Sequence, residues 1–406
     1  MVIRGVGATN SKLKYNGGGG STNFITAAGR GLQATTTNIY AGFTQGSYVL
    51  QVADATGFSI NDYVKIKEAD AGRITSTWAT NTIGQYNKII GISGTTITLK
   101  DALHTTYYNV NTPTLQHVKM MQAVGVECLY IERLDATTGQ TNNILFTYTT
   151  NSWINGIQSQ NTNFGHVVFD NSYKCQVNDS HFKDAFAYGG GGQAYGVVCQ
   201  MTTTLCKTEN CIFDHLRHST LIQAGCNGNV YGYNYSKNPY WTSFPSNAAG
   251  DVAMHGNYAY ANLFEGNIFQ NIVIDNSHGI NGPNNTLFRN RALLFGIFMN
   301  TGAGDSVNIV GNEITSTGFG LGQYTITGTG HYQYGNNKNG TILPTSTTPL
   351  NDTTYYLNMP QPPCWQGLAA IPTIGIPNTI STGTNVQQHP TSPSAKPSVI
   401  YHSHKQ

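Results

Sequence analysis

In the second half of the chain, apolar and polar positions alternate over stretches of a few residues. Each stretch stops at an Asn, Asp or Gly. Lined up by that stop, the segments are Cys175-Gln-Val-Asn-Asp179, Cys206-Lys-Thr-Glu-Asn210, Val230-Tyr-Gly-Tyr-Asn234, Leu263-Phe-Glu-Gly-Asn267, Thr286-Leu-Phe-Arg-Asn290, Asn308-Ile-Val-Gly-Asn312 and Tyr332-Gln-Tyr-Gly-Asn336. The steps between stops are 31, 24, 33, 23, 22 and 24 residues. A repeat of 22 to 24 with two longer steps describes one turn of a solenoid carrying two loop insertions. Period-two alternation makes its elements strands rather than helices. Asn suits a corner that needs a left-handed backbone. Stacked from coil to coil at about 4.8 Å, its amide can also bond to the Asn above and below.

The preceding segment has a different texture. Tyr48 to Val52, Tyr63 to Lys67, Lys88 to Ile92 and Thr95 to Leu99 are short alternating runs joined by polar turns, as in a small antiparallel β module. Gly125 to Ile131 resumes the coil pattern, and beyond Gly340 the periodicity stops in a Pro-rich stretch. The expected organisation is therefore first coils over 1–34, a β insertion over 35–105, a parallel β-helix over 106–340 and an extended C-terminal tail over 341–406.

Composition narrows the class. Only 10% of residues are charged, against roughly 25% in an ordinary soluble domain. Helical proteins cover their exposed faces with Lys and Glu; here Thr, Asn, Ser, Gln and Tyr must do it, as in an extracellular or cell-surface β protein. A net charge of +2 without a Lys/Arg block leaves nothing to track phosphates, so nucleic acid is not an expected partner. No apolar run reaches the length of a membrane span. The first residues, Met1 to Gly7, read as strand rather than as a signal peptide. An uncapped first coil is an open edge, and self-association through it is an expectation. Seven cysteines without CxxC spacing give no disulfide framework or metal site; Cys175 and Cys206, at equivalent positions, are expected to be stacked thiols.

Val2-Ile-Arg-Gly-Val-Gly7, Asp214-His-Leu-Arg-His-Ser219, Gly228 to Ser236, His255-Gly256 and Asn262 to Asn267 together resemble the pectin-lyase-like right-handed parallel β-helix superfamily, within it the secreted bacterial β-helix repeat proteins. The resemblance extends over nearly the whole chain. It implies the fold and leaves the reaction open, because the superfamily holds lyases, hydrolases, epimerases and structural parts. Ile212-Phe213-Asp214-His215 is similar to the aromatic-Ile-Asp-His segment of pectate lyases, but the Arg-x-Pro-x-x-Arg that completes their signature is absent. Pectate cleavage is therefore not implied.

The two long steps locate candidate chemistry. One insertion follows Asp179 and contains Gly189 to Gly192; the other follows Asn234 and contains Lys237 to Pro245. Between them lies one coil with Asp214, His215, Arg217 and His218, so two walls flank a charged floor suited to an extended polymer. His can exchange protons near neutrality and Arg can neutralise a uronate carboxylate or a developing enolate. Asp214, Arg217, His218 and His255 are the catalytic candidates. Substrate contacts are expected from Lys183, Asp184, His215, Tyr240, Trp241, Asp251, His278 and Arg291, with Asp275 near His278. Asp214 and Asp251 could form a hydrolase pair. Asp214 and His218 share parity, so an extended stretch would put them on one face and send Arg217 elsewhere. Arg289 and Arg291 flank a corner, so one of them is expected to bond a turn. Each of these has a plainer alternative: ion pairs within the fold for the charges, loop anchoring for the aromatics.

The leading expectation is a secreted polysaccharide-active protein, a lyase or glycoside hydrolase. Its rival is a non-catalytic surface, adhesion or filament subunit. No motif specifies a cofactor, and calcium is left open without a ligand pattern of its own.

Overall fold

The structure, a computed structural model, describes residues 1–240 and 250–350. Each full coil of the solenoid supplies three short strands, such as Lys207–Glu209, Ile212–Asp214 and His218–Ile222. The first strands stack into a ten-stranded parallel sheet that begins with Val2–Arg4 on Gly125–Glu127 and ends at Tyr332–Tyr334. The others join an eighteen-stranded sheet, where only Thr341–Leu343 runs antiparallel, back along Asn336–Lys338. The Pro-rich stretch from 351 onward lies outside the described residues.

In-register stacking repeats the inward residue of each coil as a column. Val177, Thr208, Tyr231, Phe264, Leu287 and Ile309 form one, and the Tyr231 and Phe264 rings lie 4.8 Å apart, nearly parallel. Phe182 stacks on Phe213 at 5.4 Å in a second. Each fully buried ring contributes about 1.5–3 kcal/mol, so the interior rather than strand length holds these three-residue strands. Cys175 and Cys206 stack as expected, the Cys175 amide donating to Cys206 Sγ at 3.3 Å. All six described cysteines are free thiols.

At the first corner, the two jobs assigned to Asn in sequence fall on adjacent residues. The left-handed position is held by Asp179, Asn210, Tyr233, Gly266, Arg289, Gly311 and Gly335, with φ between 51° and 64°. The stacked position is the next residue: Ser180, Cys211, Asn234, Asn267, Asn290, Asn312 and Asn336. From Asn234 onward each Nδ2 donates to the following Oδ1 at 3.0, 2.8, 3.1 and 2.9 Å. Cys211 N donates to Asn234 Oδ1 at 3.0 Å, so Asn234 stacks on Cys211. The expected register was thus one residue out at Asp179 and Asn210. A second series at the opposite corner links Asn229, Asn262 and Asn285.

Between the strands Ile25–Ala28 and Gly125–Glu127 the chain builds a closed six-stranded antiparallel barrel from Gly31–Ala41, Val49–Val52, Thr96–Leu99, Gly84–Ser93, Tyr63–Lys67 and Thr114–Lys119. It is wider than the 35–105 insertion expected, because the strands at both ends of the excursion pair with each other. Leu50, Val64, Ile66, Ile89, Ile97 and Leu115 fill its own core. Apolar contacts (Tyr63, Tyr86 and Val118 with Tyr173, and Ile74, Ala79 and Ile83 with Ala224) and a set of polar ones dock it on the solenoid. Tyr86 Oη donates to Asn171 Oδ1 at 2.7 Å, Tyr260 Oη to Gly84 O at 2.7 Å, and His104 Nδ1 meets Asn227 Oδ1 at 2.8 Å. No described helix is long and apolar enough to cross a membrane.

Candidate functional site

The coil between the two insertions aligns charges from three successive strands. Lys183 is in register with Asp214, and Asp214 with Lys237. Lys237 Nζ lies 3.4 Å from Asp214 Oδ2, and Asn238 Nδ2 donates to Asp214 Oδ1 at 2.8 Å. Asp214 is buried and both its oxygens are engaged.

One residue further on, Asp184 and His215 adopt left-handed φ of 58° and 57° and turn out at the same corner. His215 Nδ1 sits 2.9 Å from Asp184 Oδ1, and Gln160 Nε2 donates to Asp184 Oδ2 at 2.9 Å. Burial alone would push the Asp184 carboxyl up; the bonds from Gln160 and His215, with the Lys183 charge, hold it below its ordinary value. The His215 side chain is 45% exposed. Tyr188 from the first insertion lies over it at 4.6 Å between centroids, and Tyr240 from the second lies 4.8 Å from Tyr188. Tyr188 Oη is 3.1 Å from His215 Nδ1 and accepts from Ala185 N at 2.8 Å. Beneath the pair, buried His166 bridges Ser159 Oγ at 2.8 Å and the Asp184 carbonyl at 3.1 Å. Trp241 lies outside the described residues.

His215 is therefore a corner, and it separates Asp214 from His218. Asp214 ends one strand and His218 begins the next, so the two do not share a strand face as parity predicts. Arg217 turns to the first insertion, where its Nη1 donates to Gly191 O at 2.7 Å and to Tyr195 Oη at 3.2 Å. His218 packs on the Tyr195 ring at 5.0 Å, its Nδ1 2.7 Å from Gly250 O. It opens a second cluster. Its ring is 5.7 Å from that of His255, which lies 4.8 Å from His278. His255 Nδ1 meets Asp275 Oδ2 at 2.7 Å. Burial would raise the Asp275 carboxyl, and the His255 hydrogen bond holds it below its ordinary value. The barrel reaches this cluster too: His278 contacts Trp78 edge-on at 5.4 Å and Ser76 Oγ at 3.4 Å.

Two candidates are not in either cluster. Asp251 is fully buried, accepting from the backbone of Gln270 and Asn271 at 2.7 and 3.2 Å where the strand bulges, and from Ser219 Oγ at 3.4 Å. Burial pushes its carboxyl up to about 6. It braces the bulge and does not pair with Asp214. Arg291 is buried against Glu313 at 2.9 Å, so it does not line the outer face; Arg289 is buried as well. Tyr188, Gln160 and His166 join the site without a mark in sequence, although Tyr188 directly precedes the glycine run. Among the described residues no His, Cys, Asp or Glu group of three or more is arranged to hold a metal ion.

No protein-family model matches the sequence, and no curated protein matches it. Solved structures do. The Pseudomonas phage phi297 tailspike gp61 superposes with a TM-score of 0.56 at 13% identity, over 83% of this chain and 62% of that one. The gp54 tailspike of Acinetobacter baumannii bacteriophage AP22, solved with A. baumannii capsular saccharide, gives 0.51 at 12% identity over the same shares. The fold is a right-handed parallel β-helix. This β-helix spans 62% of the length of each tailspike, and at such identity the likeness is one of fold.

Proposed function

We propose that this β-helix acts outside the cell on an extended acidic polysaccharide, held between the two insertions and cleaved by β-elimination at His215. The half-exposed Asp184–His215 pair beneath Tyr188 and Tyr240 is the observation that carries the reading. With a carboxylate against Nδ1 the imidazole proton sits there, leaving Nε2 as the acceptor. Tyrosine faces stack on sugar rings. Lys183, whose side chain is 37% exposed, supplies the charge opposite a uronate carboxylate. In the proposed step Nε2 takes the proton next to that carboxylate. The electron pair forms the carbon–carbon double bond and the glycosidic oxygen leaves. Tyr188, whose hydroxyl burial pushes up to about 12, is still protonated; its proton leaves its bond to His215 O, 3.1 Å long in the free site, for the departing oxygen.

Elimination fits better than hydrolysis by the expected Asp214–Asp251 pair, because Asp251 braces a bulge and Asp214 is clamped by Lys237 and Asn238. The same engagement of carboxylates favours, as a second reading, saccharide binding without cleavage. Incubation with a polysaccharide panel tests all three. Ultraviolet-absorbing unsaturated ends, lost in His215→Ala, are the expected result. Reducing ends without that absorbance would mean hydrolysis, and retention without products would mean binding alone. End-to-end association through Val2–Arg4, which among the described residues pairs only with Gly125–Glu127, is a separate proposal that size measurements on the full chain test.

A further inference from the structure

A groove of about 550 Å³ opens where the chain leaves the solenoid for the barrel and returns. It shares no residue with the His215 cluster. The crossing itself builds it. Arg30 N donates to Lys119 O at 2.9 Å, and Gly31 is in register with Lys119, so two cationic side chains leave neighbouring points of the backbone. Both are exposed, and neither forms an ion pair with a described residue. Across from them Asp62 is the one carboxylate in the lining. Its oxygens are already occupied, one facing His117 Nε2 at 3.6 Å and the other accepting from Ser59 N at 2.8 Å. Gln122, also in the lining, accepts at its Oε1 from Tyr63 Oη at 3.1 Å.

What the groove offers is therefore donors. An arginine brings five N–H groups and a lysine three, with no acceptor between them. The balance of Arg30 and Lys119 against Asp62 is a local excess of positive charge, in a molecule whose whole net charge is only +2. The volume falls within the roughly 300–1,000 Å³ usual for ligand sites. We propose that this groove is a second binding site, for the anionic group of an acidic saccharide, with Arg30 and Lys119 as its recognition pair. The sign of the ligand's charge follows from the groove alone; its being a saccharide rests on the proposed function. Two sites on one chain would hold a polymer at two points and raise its residence well beyond either alone.

The test titrates the full chain by calorimetry with a galacturonate oligomer, a sulfated oligosaccharide and a neutral maltose oligomer. The proteins are the wild type, the Arg30→Gln/Lys119→Gln double variant and His215→Ala. Because the two cations are exposed and unpaired, the double variant is expected to keep the wild-type melting temperature. The expected result is two equivalents of galacturonate oligomer bound by the wild type. The double variant loses one of them by about tenfold or more in affinity, His215→Ala keeps both and leaves the oligomer uncleaved, and the neutral oligomer is indifferent to the double change. Unchanged binding in the double variant overturns the groove site, whatever His215→Ala does. One equivalent, lost in the double variant and kept in His215→Ala, upholds the groove and overturns the reading of the His215 cluster. Loss confined to the sulfated ligand assigns the groove to sulfate esters instead of carboxylates. Absence of anionic binding in the wild type overturns both.

Discussion

His166 touches no solvent, yet its Nε2 bonds the Asp184 carbonyl and its Nδ1 is held by Ser159 Oγ, which fixes the backbone of Asp184 and so the carboxylate against His215. Burial pushes the His166 pKa down to about 3, and pushes that of His218 down as well. Unfolded, these groups titrate near 6.5. A folded pKa below the unfolded one contributes stability that is complete above 6.5 and lost as pH falls toward 3. Asp170 and Asp251 run the other way. Burial raises them to about 6 from 3.8, so their contribution is present below 3.8 and lost as pH rises through 6. The carboxyls thus offset part of the histidine loss between those values. Denaturation midpoints measured from pH 7 to pH 4 should fall, and His166→Gln should flatten that fall. An acid limb of unchanged slope would show that His166 does not take up the proton. At the proposed site of elimination, His215→Ala should lower turnover by about 10²–10⁴-fold, as expected for loss of a general base; steady-state rates on the responsive polysaccharide measure it.

A coil corner needs one residue that accepts a left-handed backbone and one that bonds upward, and here they are neighbours. Asn267 shows the second job: its Nδ2 donates to Asn290 Oδ1 and Tyr231 O, both at 2.8 Å, and its Oδ1 accepts from Asn234 N and Nδ2. Asn267→Leu leaves those buried partners without a mate and should cost about 1–3 kcal/mol, read as a lower urea midpoint. A neutral result would make the amide series incidental. Gly266 shows the first job: with φ +64°, an added Cβ there would meet Tyr233 Cε1 at 2.5 Å. The repeat, the two insertions and the intervening coil were legible because spacing survives a one-residue error. Which of two adjacent corner residues carries the amide was not, since Asp179 and Asn210 are polar residues suited to the left-handed position and imitate the ladder. The same ambiguity hid His215, whose corner breaks the strand between Asp214 and His218. Tyr188 and Gln160 were illegible for another reason: they reach the site from separate coils that only the stacking register brings together.

At the scale of the molecule, a closed barrel and a solenoid meet across a seam of mixed apolar and polar contacts. The barrel completes its own hydrogen-bonded circle and holds its own apolar cluster, and it shares two smaller buried clusters with the solenoid: Tyr63, Tyr86 and Val118 against Tyr173, and Ile74, Ala79 and Ile83 against Ala224. Individual bonds join the two between these clusters, and Asp101 makes two of them. It sits just beyond the barrel strand Thr96–Leu99 and accepts from Lys174 Nζ at 2.7 Å and from the Tyr173 hydroxyl. Burial, then the neighbouring Asp101 carboxylate, drives the Tyr173 hydroxyl far above its ordinary value, so it remains a donor and must find an acceptor. In Asp101→Ala it has lost that acceptor, a cost of about 1–3 kcal/mol placed at the seam rather than in either core. The barrel should then open as a unit before the coils do. Hydrogen exchange read by mass spectrometry distinguishes this from general loosening. In Asp101→Ala, seam positions such as the amide of Tyr86, which donates to Thr204 Oγ1 at 3.1 Å, should lose protection at denaturant concentrations where Gly165–Asp170 in the solenoid keeps it. If both exchange together, the barrel and the β-helix form one cooperative unit, and the seam is as much a core as either interior.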